Sequence, residues 1–139
     1  MTASETGAVR VIDSAIGCPN IPIVQGSGNA QAVVWPGNGA QFRTFHVVSL
    51  EPGASTIELR HPSDCVYYVA EGGGSVQGGG ADERFDLIQG SMVHIDAGDA
   101  YRIAAGEAGV KVIGGPCPAD MALYAGLLPS GLLAQDGAR

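Results

Sequence analysis

Charged side chains are scarce in this sequence, and basic ones are the scarcest. Only 15% of the 139 residues are charged, and Lys111 is the single lysine. The 7 basic residues stand against 14 acidic ones, which gives a net charge of −7 at pH 7. Such a chain repels the phosphate backbone of DNA and RNA, so we expect no nucleic-acid partner. So few charges also suggest that a second copy covers part of the surface, and we expect a homodimer.

Long apolar runs and paired cysteines are also missing. No stretch approaches the roughly 20 apolar residues of a membrane helix, so we expect no membrane partner. Residues 1–8 have neither the basic start nor the apolar run of a secretion signal. The three cysteines Cys18, Cys65 and Cys117 form no C-x-x-C pair, and an odd, widely spaced set favours reduced thiols. We therefore expect a soluble, cytoplasmic protein.

Glycine, by contrast, is abundant, with 22 residues beside 8 prolines. These residues punctuate short apolar segments along the whole chain, a pattern typical of an all-β domain. A length of 139 residues suits one domain with one core. The candidate strands are 9–13, 32–35, 41–50, 55–61, 65–71, 74–77, 84–87, 91–95, 101–104 and 110–113.

Two glycine triplets, at 72–74 and 78–80, flank a three-residue segment. A phosphate-binding loop of the G-x4-G-K-[ST] type needs a lysine that this region lacks, so we interpret both triplets as hairpin turns. Near the C-terminus, Met121, Tyr124 and Leu128 recur at intervals of three and four residues. That spacing predicts a short C-terminal helix packed on the barrel or on a partner subunit.

Two glycine-bounded motifs carry the functional information. In the first, five residues separate Gly53 from Leu59-Arg60-His61, three more precede Cys65, and six more precede Gly72. In the second, five residues separate Gly90 from Asp96-Ala97-Gly98, and two more precede Tyr101. This spacing resembles that of the cupin superfamily, whose motifs read G-x5-H-x-H-x(3,4)-E-x6-G and G-x5-P-x-G-x2-H.

The resemblance implies an all-β fold, the cupin double-stranded β-helix or jelly-roll barrel, with a short C-terminal helix. It implies one domain over residues 1–139, with core motifs at 41–116, N-terminal strands within 9–40 and a C-terminal helix and tail at 118–139. Metal-binding cupins hold Fe, Mn, Zn or Ni with two His and one Glu from the first motif and one His from the second. Leu59, His61, Cys65 and Tyr101 occupy those four positions here, so only one usual ligand is present.

A leucine supplies no ligand, and a catalytic metal generally needs three protein ligands. We therefore favour no cofactor. A rearranged set of His61, Cys65 and His46 remains an alternative, because imidazole and thiolate suit a divalent metal such as Zn, Fe, Cu or Mn.

Side chains alternate across a strand, so one parity of each segment faces the barrel interior, and the resemblance implies which parity that is in the two motifs. On the strand before the first motif, His46 shares a face with Leu50 and points inward if Leu50 does. His94 alternates against Val93 and Ile95, so we expect it on the outer face. The inward candidates for substrate binding are His46, Tyr67, Leu59, Val69 and Ile103. The catalytic candidates are His61, Tyr101 and Cys65.

These residues predict a small-molecule enzyme without redox chemistry, a cyclase, isomerase or lyase. His61 would act as general base or acid, Tyr101 as hydrogen-bond donor, and Cys65 would tune or share the proton transfer. One alternative is a metal-dependent oxygenase or lyase that uses the His and Cys ligands. Another is a cupin that binds a small molecule without turnover. Substrate, reaction type and pathway do not follow from these residues.

Overall fold

The computed structural model describes residues 9–40, 42–78 and 83–127, and its strands form one antiparallel system that curls into a nearly closed barrel. The strands in order are β1 (Val24–Gln25), β2 (Gly28–Val34), β3 (Phe45–Leu50), β4 (Ser55–Thr56), β5 (Cys65–Gly78), β6 (Arg84–Leu87), β7 (Met92–Ile95) and β8 (Tyr101–Pro116). Two short 3₁₀ turns, Pro36–Asn38 and Met121–Tyr124, complete the regular elements of this part of the chain. The predicted all-β jelly-roll barrel is confirmed.

The two long strands β5 and β8 organise the barrel. They pair along most of their lengths, from Cys65 opposite Pro116 to Gly78 opposite Tyr101. The first half of β5 also pairs with β7 and its second half with β6. The last half of β8 pairs with β3, and its first half with β4. The result is two facing layers, β7-β5-β8-β3-β2 and β6-β5-β8-β4-β1, joined where the long strands bend.

Glycines permit that bend, and the interpretation of residues 72–74 as a hairpin turn is wrong. Gly72 and Gly74 lie inside β5, where the pairing with β8 shifts register. A Cβ atom on Gly74 would stand 2.0 Å from the carbonyl oxygen of Ala104, and one on Gly72 would stand 2.1 Å from that of Gly109. The strand therefore crosses its partner too closely for a side chain, and it bends without ending. Of the second triplet, Gly78 ends β5, and residues 79–80 lie outside the described residues.

The predicted strand at 9–13 is also wrong. No strand is assigned to these residues, and Val9 and Val11 are 95% and 93% exposed, because no neighbouring strand supplies a hydrogen-bonding ladder. The N-terminal pairing is made instead by β1 with β4 and by β2 with β3. The polar residues Gln25, Ser27 and Asn29 interrupt the apolar pattern, so the sequence did not predict strands here.

The C-terminal helix is reduced to the single 3₁₀ turn Met121–Tyr124, and Leu128 lies outside the described residues. Asp120 caps the turn, since its Oδ1 accepts a hydrogen bond from the amide of Ala122 at 3.2 Å. The turn inserts Tyr124 against Trp35, with ring centroids 5.0 Å apart. This short element therefore closes one side of the core.

The expected inward parity of the strands is confirmed. The residues that it assigned to the interior are all buried, and the set comprises His46, Leu59, His61, Cys65, Tyr67, Val69, Tyr101 and Ile103. His94 lies exposed on the outer face, as expected. In the part of the chain that the structure describes, no helix has the length and apolar character needed to cross a membrane.

Candidate active site

The site begins at His61, whose two ring nitrogens both have buried partners. Nδ1 lies 2.8 Å from Oδ2 of Asp120, and Nε2 lies 2.7 Å from the hydroxyl oxygen of Tyr101. A carboxylate only accepts hydrogen bonds, so Nδ1 carries the proton and donates it to Asp120. Nε2 is then the acceptor for the Tyr101 hydroxyl. This is the arrangement of an oriented general base, an imidazole whose tautomer is fixed by a carboxylate.

Tyr101 connects His61 to the opposite wall of the barrel. Its hydroxyl oxygen lies 2.7 Å from that of Tyr67 and 3.7 Å from Sγ of Cys65. Because Tyr101 donates its proton to His61, its oxygen accepts from Tyr67. The cluster thus forms a directional chain of hydrogen bonds from Tyr67 through Tyr101 and His61 to Asp120.

Burial keeps the acidic members of this cluster protonated. Desolvation raises the pKa of Tyr101 and of Tyr67 far above the usual range of a phenol. Desolvation likewise raises the pKa of Cys65 to about 11, against the weaker opposing effect of hydrogen bonds from Tyr101 and Tyr67. At neutral pH the cluster therefore offers two neutral phenols and a neutral thiol, which act as hydrogen-bond donors and not as nucleophiles.

A second buried pair lies beside the first. Nε2 of His46 lies 2.6 Å from the hydroxyl of Tyr124, while its Nδ1 is buried without a hydrogen-bond partner among the described residues. Desolvation and, secondarily, the nearby His61 lower the pKa of His46 to about 4. His46 is therefore a neutral imidazole at neutral pH. Thr44 on the same face donates its hydroxyl proton to the carbonyl of Pro116 at 2.6 Å.

The apolar candidates surround the polar cluster. Leu59, Val69 and Ile103 are buried in the same core cluster as Tyr67 and Tyr101. Leu59 also pairs with Tyr101 through an isolated backbone bridge, which fixes the root of the Tyr101 side chain. The polar atoms of the site are thus enclosed by hydrocarbon, where hydrogen bonds are stronger than in water.

The residues present do not fit the metal that the resemblance implies. Both nitrogens of His61 are engaged by Asp120 and Tyr101, so neither can bind an ion without breaking a buried hydrogen bond. Among the described residues, the group of His, Cys, Asp and Glu side chains whose ligand atoms lie within 4.8 Å of one another is instead Asp64, His94 and Asp96. That group is exposed, and His46, His61 and Cys65 do not meet in this way.

A cavity that is open to the outside lies beside Tyr101. It has a volume of about 240 Å³ and is bounded in part by Val76, Val93, Ile95 and Tyr101. A larger cavity of about 430 Å³ lies beside Leu50, Gly72 and Val110, and neither His nor Tyr lines it. Since Tyr101 lines it, the smaller cavity adjoins the hydrogen-bonded cluster.

Two members of the cluster were not identified from the sequence. Asp120 follows Pro118 in a segment interpreted as a tail, and Tyr124 was assigned only to helix packing. No spacing rule links them to residues more than 50 positions earlier. The helix-capping pattern of Asp120 was the one available signal, and it suggested a structural role alone.

The comparisons with known proteins agree with this architecture. The model of the cupin domain family matches residues 46–113. A cupin-like protein from Thermotoga maritima MSB8 is similar in structure, with 23% identity, a TM-score of 0.64, and coverage of 80% of this chain and 84% of that one. The polyketide cyclase RemF from Streptomyces resistomycificus has 14% identity and a TM-score of 0.66, with 79% of each chain covered.

A predicted oxalate decarboxylase from Thermotoga maritima is also similar, with 18% identity, a TM-score of 0.62, and coverage of 78% of this chain and 99% of that one. No curated protein matches the sequence. At these identities the likeness establishes the fold alone. The family match includes His46, His61 and Tyr101, and the similar structures share the barrel, so the chain belongs to the cupin superfamily.

Proposed function

We propose that this protein is a small-molecule enzyme that performs acid–base chemistry inside the barrel, as a cyclase, isomerase or lyase without a redox step. The observation that carries the proposal is the buried sequence of hydrogen bonds from Asp120 through His61 to Tyr101. An imidazole held by a carboxylate on one side and a phenol on the other is a unit for moving one proton. Cys65 and Tyr67 contribute polarity at the Tyr101 oxygen.

In the proposed reaction a proton of the substrate moves along the hydrogen bonds toward His61 and later returns to the substrate. Tyr101 accepts the proton of a substrate C–H or O–H bond while its own proton passes to Nε2 of His61. Asp120 stabilises the imidazolium that forms. The raised pKa of Tyr101 disfavours a free phenolate, so the two transfers occur together. The return of the proton to another atom of the substrate completes an isomerisation or a cyclisation, and departure of a group completes an elimination.

The enclosed barrel supports this chemistry in a second way. Leu59, Val69 and Ile103 exclude water from the cluster, so the hydrogen bonds to a developing oxyanion act in a medium of low polarity. Tyr67 lies beside Tyr101 with a hydroxyl that can turn toward such an oxyanion. An apolar wall also favours a folded substrate conformer over an extended one.

The test is hydrogen exchange into a panel of small carbonyl compounds, followed by NMR in D2O. We expect exchange with the wild type and its loss in His61→Asn and Tyr101→Phe. The exposed Tyr68→Phe serves as the matched control for Tyr101→Phe and retains activity. Saturable binding without exchange of any compound would replace this proposal with the non-catalytic binding alternative. Exchange that a chelator abolishes and a divalent metal restores would favour the metalloenzyme.

We also propose that the protein acts as a homodimer through the outer face of the layer β7-β5-β8-β3-β2. The register places Met92, Tyr68, Ile113 and Val47 side by side across four strands, and Met92 is 66% exposed. This row of side chains carries no charge, so the surface that covers it must be apolar too. A second copy of the chain presents the same apolar row. Light scattering should give twice the chain mass. Met92→Glu should give the monomer, while Ile88→Glu, outside the row, should not.

A further inference from the structure

The mouth of the active-site cavity lies between two strands that do not pair with each other. Among the described strands, β6 and β7 each pair only with β5. They form the free margins of the two layers, and the cavity of about 240 Å³ opens between them. That volume is below the roughly 300–1,000 Å³ of drug-sized sites, so the cavity suits a small metabolite.

The floor of the cavity is apolar and adjoins the catalytic cluster. Val93 lies opposite Tyr67 in the strand register, and Ile95 lies opposite Cys65. Both line the cavity together with Tyr101. A molecule on this floor therefore lies next to the tyrosine that we assign to proton transfer.

Phe85 forms one wall, and it is an interior-facing aromatic that no residue of the described chain covers. It lies two residues from the buried Leu87 on the same face of β6, and it pairs with the buried Val76. Yet Phe85 is 57% exposed and Leu87 only 5%. An aromatic ring aimed into a cavity and left open to solvent is a surface for an apolar or cationic ligand.

The rim of the cavity is acidic. Glu83, Asp96 and Asp99 line it, and none of the described lining residues is lysine or arginine. His94, whose Nδ1 lies 3.4 Å from Oδ1 of Asp96, is the remaining ionisable side chain of the rim beside Tyr101. A smaller adjoining cavity adds one carboxylate, Glu58, and one guanidinium, Arg102, which leaves the acidic excess unchanged. The entrance to the site therefore attracts cations and repels anions.

We propose that this mouth, bounded by Glu83, Phe85, Asp96 and Asp99, selects a substrate with a protonated amine on an apolar body. The ammonium group lies among the rim carboxylates and over Phe85, and the apolar body lies on the floor beside Tyr101. The inference rests on the proposed function, and it specifies the substrate class of the proposed enzyme. Substrates recognised through carboxylates or phosphates are excluded by the same rim.

The test compares three probes that share a phenyl ring and differ in the head group: 2-phenylethylamine, 2-phenylethanol and 3-phenylpropanoate. Dissociation constants are measured by NMR titration of the 15N-labelled protein at low salt. We expect the amine to bind about 5- to 10-fold more tightly than the alcohol, and the carboxylate to bind more weakly than both. Raised salt should reduce the amine advantage.

Two variants of the mouth and one control variant show which side chains cause the preference for the amine. Glu83→Gln combined with Asp99→Asn should bring the amine and the alcohol to equal affinity and leave the alcohol unchanged. Glu51→Gln combined with Glu107→Gln removes the same charge from exposed sites outside the cavity, and it should leave the amine advantage in place. Phe85→Leu should weaken the amine more than the alcohol.

Equal affinity of the amine and the alcohol for the wild type would overturn the proposal. So would tighter binding of the carboxylate, an equal loss in the control variant, or no binding of the amine at millimolar concentration. The measurement is independent of turnover, because His61→Asn should keep the amine selectivity while it abolishes hydrogen exchange. Selectivity without exchange in the wild type would therefore refute the enzyme and retain the amine site.

Discussion

Oδ2 of Asp120 lies 2.8 Å from Nδ1 of His61, although 59 residues separate the two in the sequence. The other oxygen of the same carboxylate caps the turn that contains Tyr124, which in turn contacts His46. One four-residue turn therefore orients both buried imidazoles. Three consequences of this arrangement can be measured.

Asp120→Asn should change the tautomer of His61. An amide at this position still caps the turn through its oxygen, but it offers N–H groups to Nδ1 where the carboxylate offered an acceptor. We expect the proton to leave Nδ1 in a fraction of the molecules and the rate of hydrogen exchange to fall by about 10²- to 10⁴-fold. Long-range 1H–15N NMR spectra report the tautomer directly. The exposed Asp86→Asn should change neither the tautomer nor the rate, and an unchanged His61 spectrum in Asp120→Asn would contradict the assignment.

Tyr124→Phe should destabilise the protein without removing any apolar contact. The change removes the hydroxyl group that is hydrogen-bonded to His46. His46 itself remains 0% exposed, so water cannot replace that hydroxyl. A buried polar group left without a partner costs about 1–3 kcal/mol in the free energy of unfolding. Urea denaturation measures the loss. Tyr68→Phe, at a residue 44% exposed, should stay within about 0.5 kcal/mol of the wild type, and equal effects of the two changes would refute the role of the pair.

Stability should decline as the pH falls from about 6.5 toward about 4. The pKa of His46 is lowered from 6.5 to about 4 in the folded protein. In that interval the unfolded chain binds a proton that the folded protein excludes, so the free energy of unfolding decreases with falling pH. The full shift corresponds to roughly 3 kcal/mol. Urea titrations at pH 7 and pH 4.5 measure it. His46→Gln should flatten this dependence and His94→Gln should not; a wild-type slope in His46→Gln would be incompatible with the prediction.

Gly74→Ala should disrupt the junction of the two layers. Its new methyl carbon would stand 2.0 Å from a backbone carbonyl of β8, which only a shift of the strand can relieve. Overpacking of this kind costs about 1–3 kcal/mol or more. Gly78→Ala, on the same strand with no atom within 4 Å of the new methyl carbon, is the matched control. Denaturation midpoints that fall equally in both variants would mean that the crossing of β5 and β8 tolerates a side chain.

The barrel was predictable because its determinants are local and repeated. Alternation of apolar residues assigned the inward face of most strands, and the glycine spacing of the two motifs identified the fold. The same local reasoning failed where distant backbone decides the outcome. Residues 72–74 combine turn-forming glycines with a strand, and only the close approach of β8 distinguishes a bend from a hairpin.

The sequence by itself determined an acidic, all-β barrel with His61, Cys65 and Tyr101 in its interior and a set of metal-ligand positions largely without ligands. Only the tertiary structure decided what those residues contact. Asp120 and Tyr124 reach His61 and His46 across the barrel from the end of the described chain, and Glu83, Asp96 and Asp99 meet at one mouth. Alternation along a strand fixes which way a side chain points, whereas its partners depend on how distant segments pack, and no spacing between residues records that.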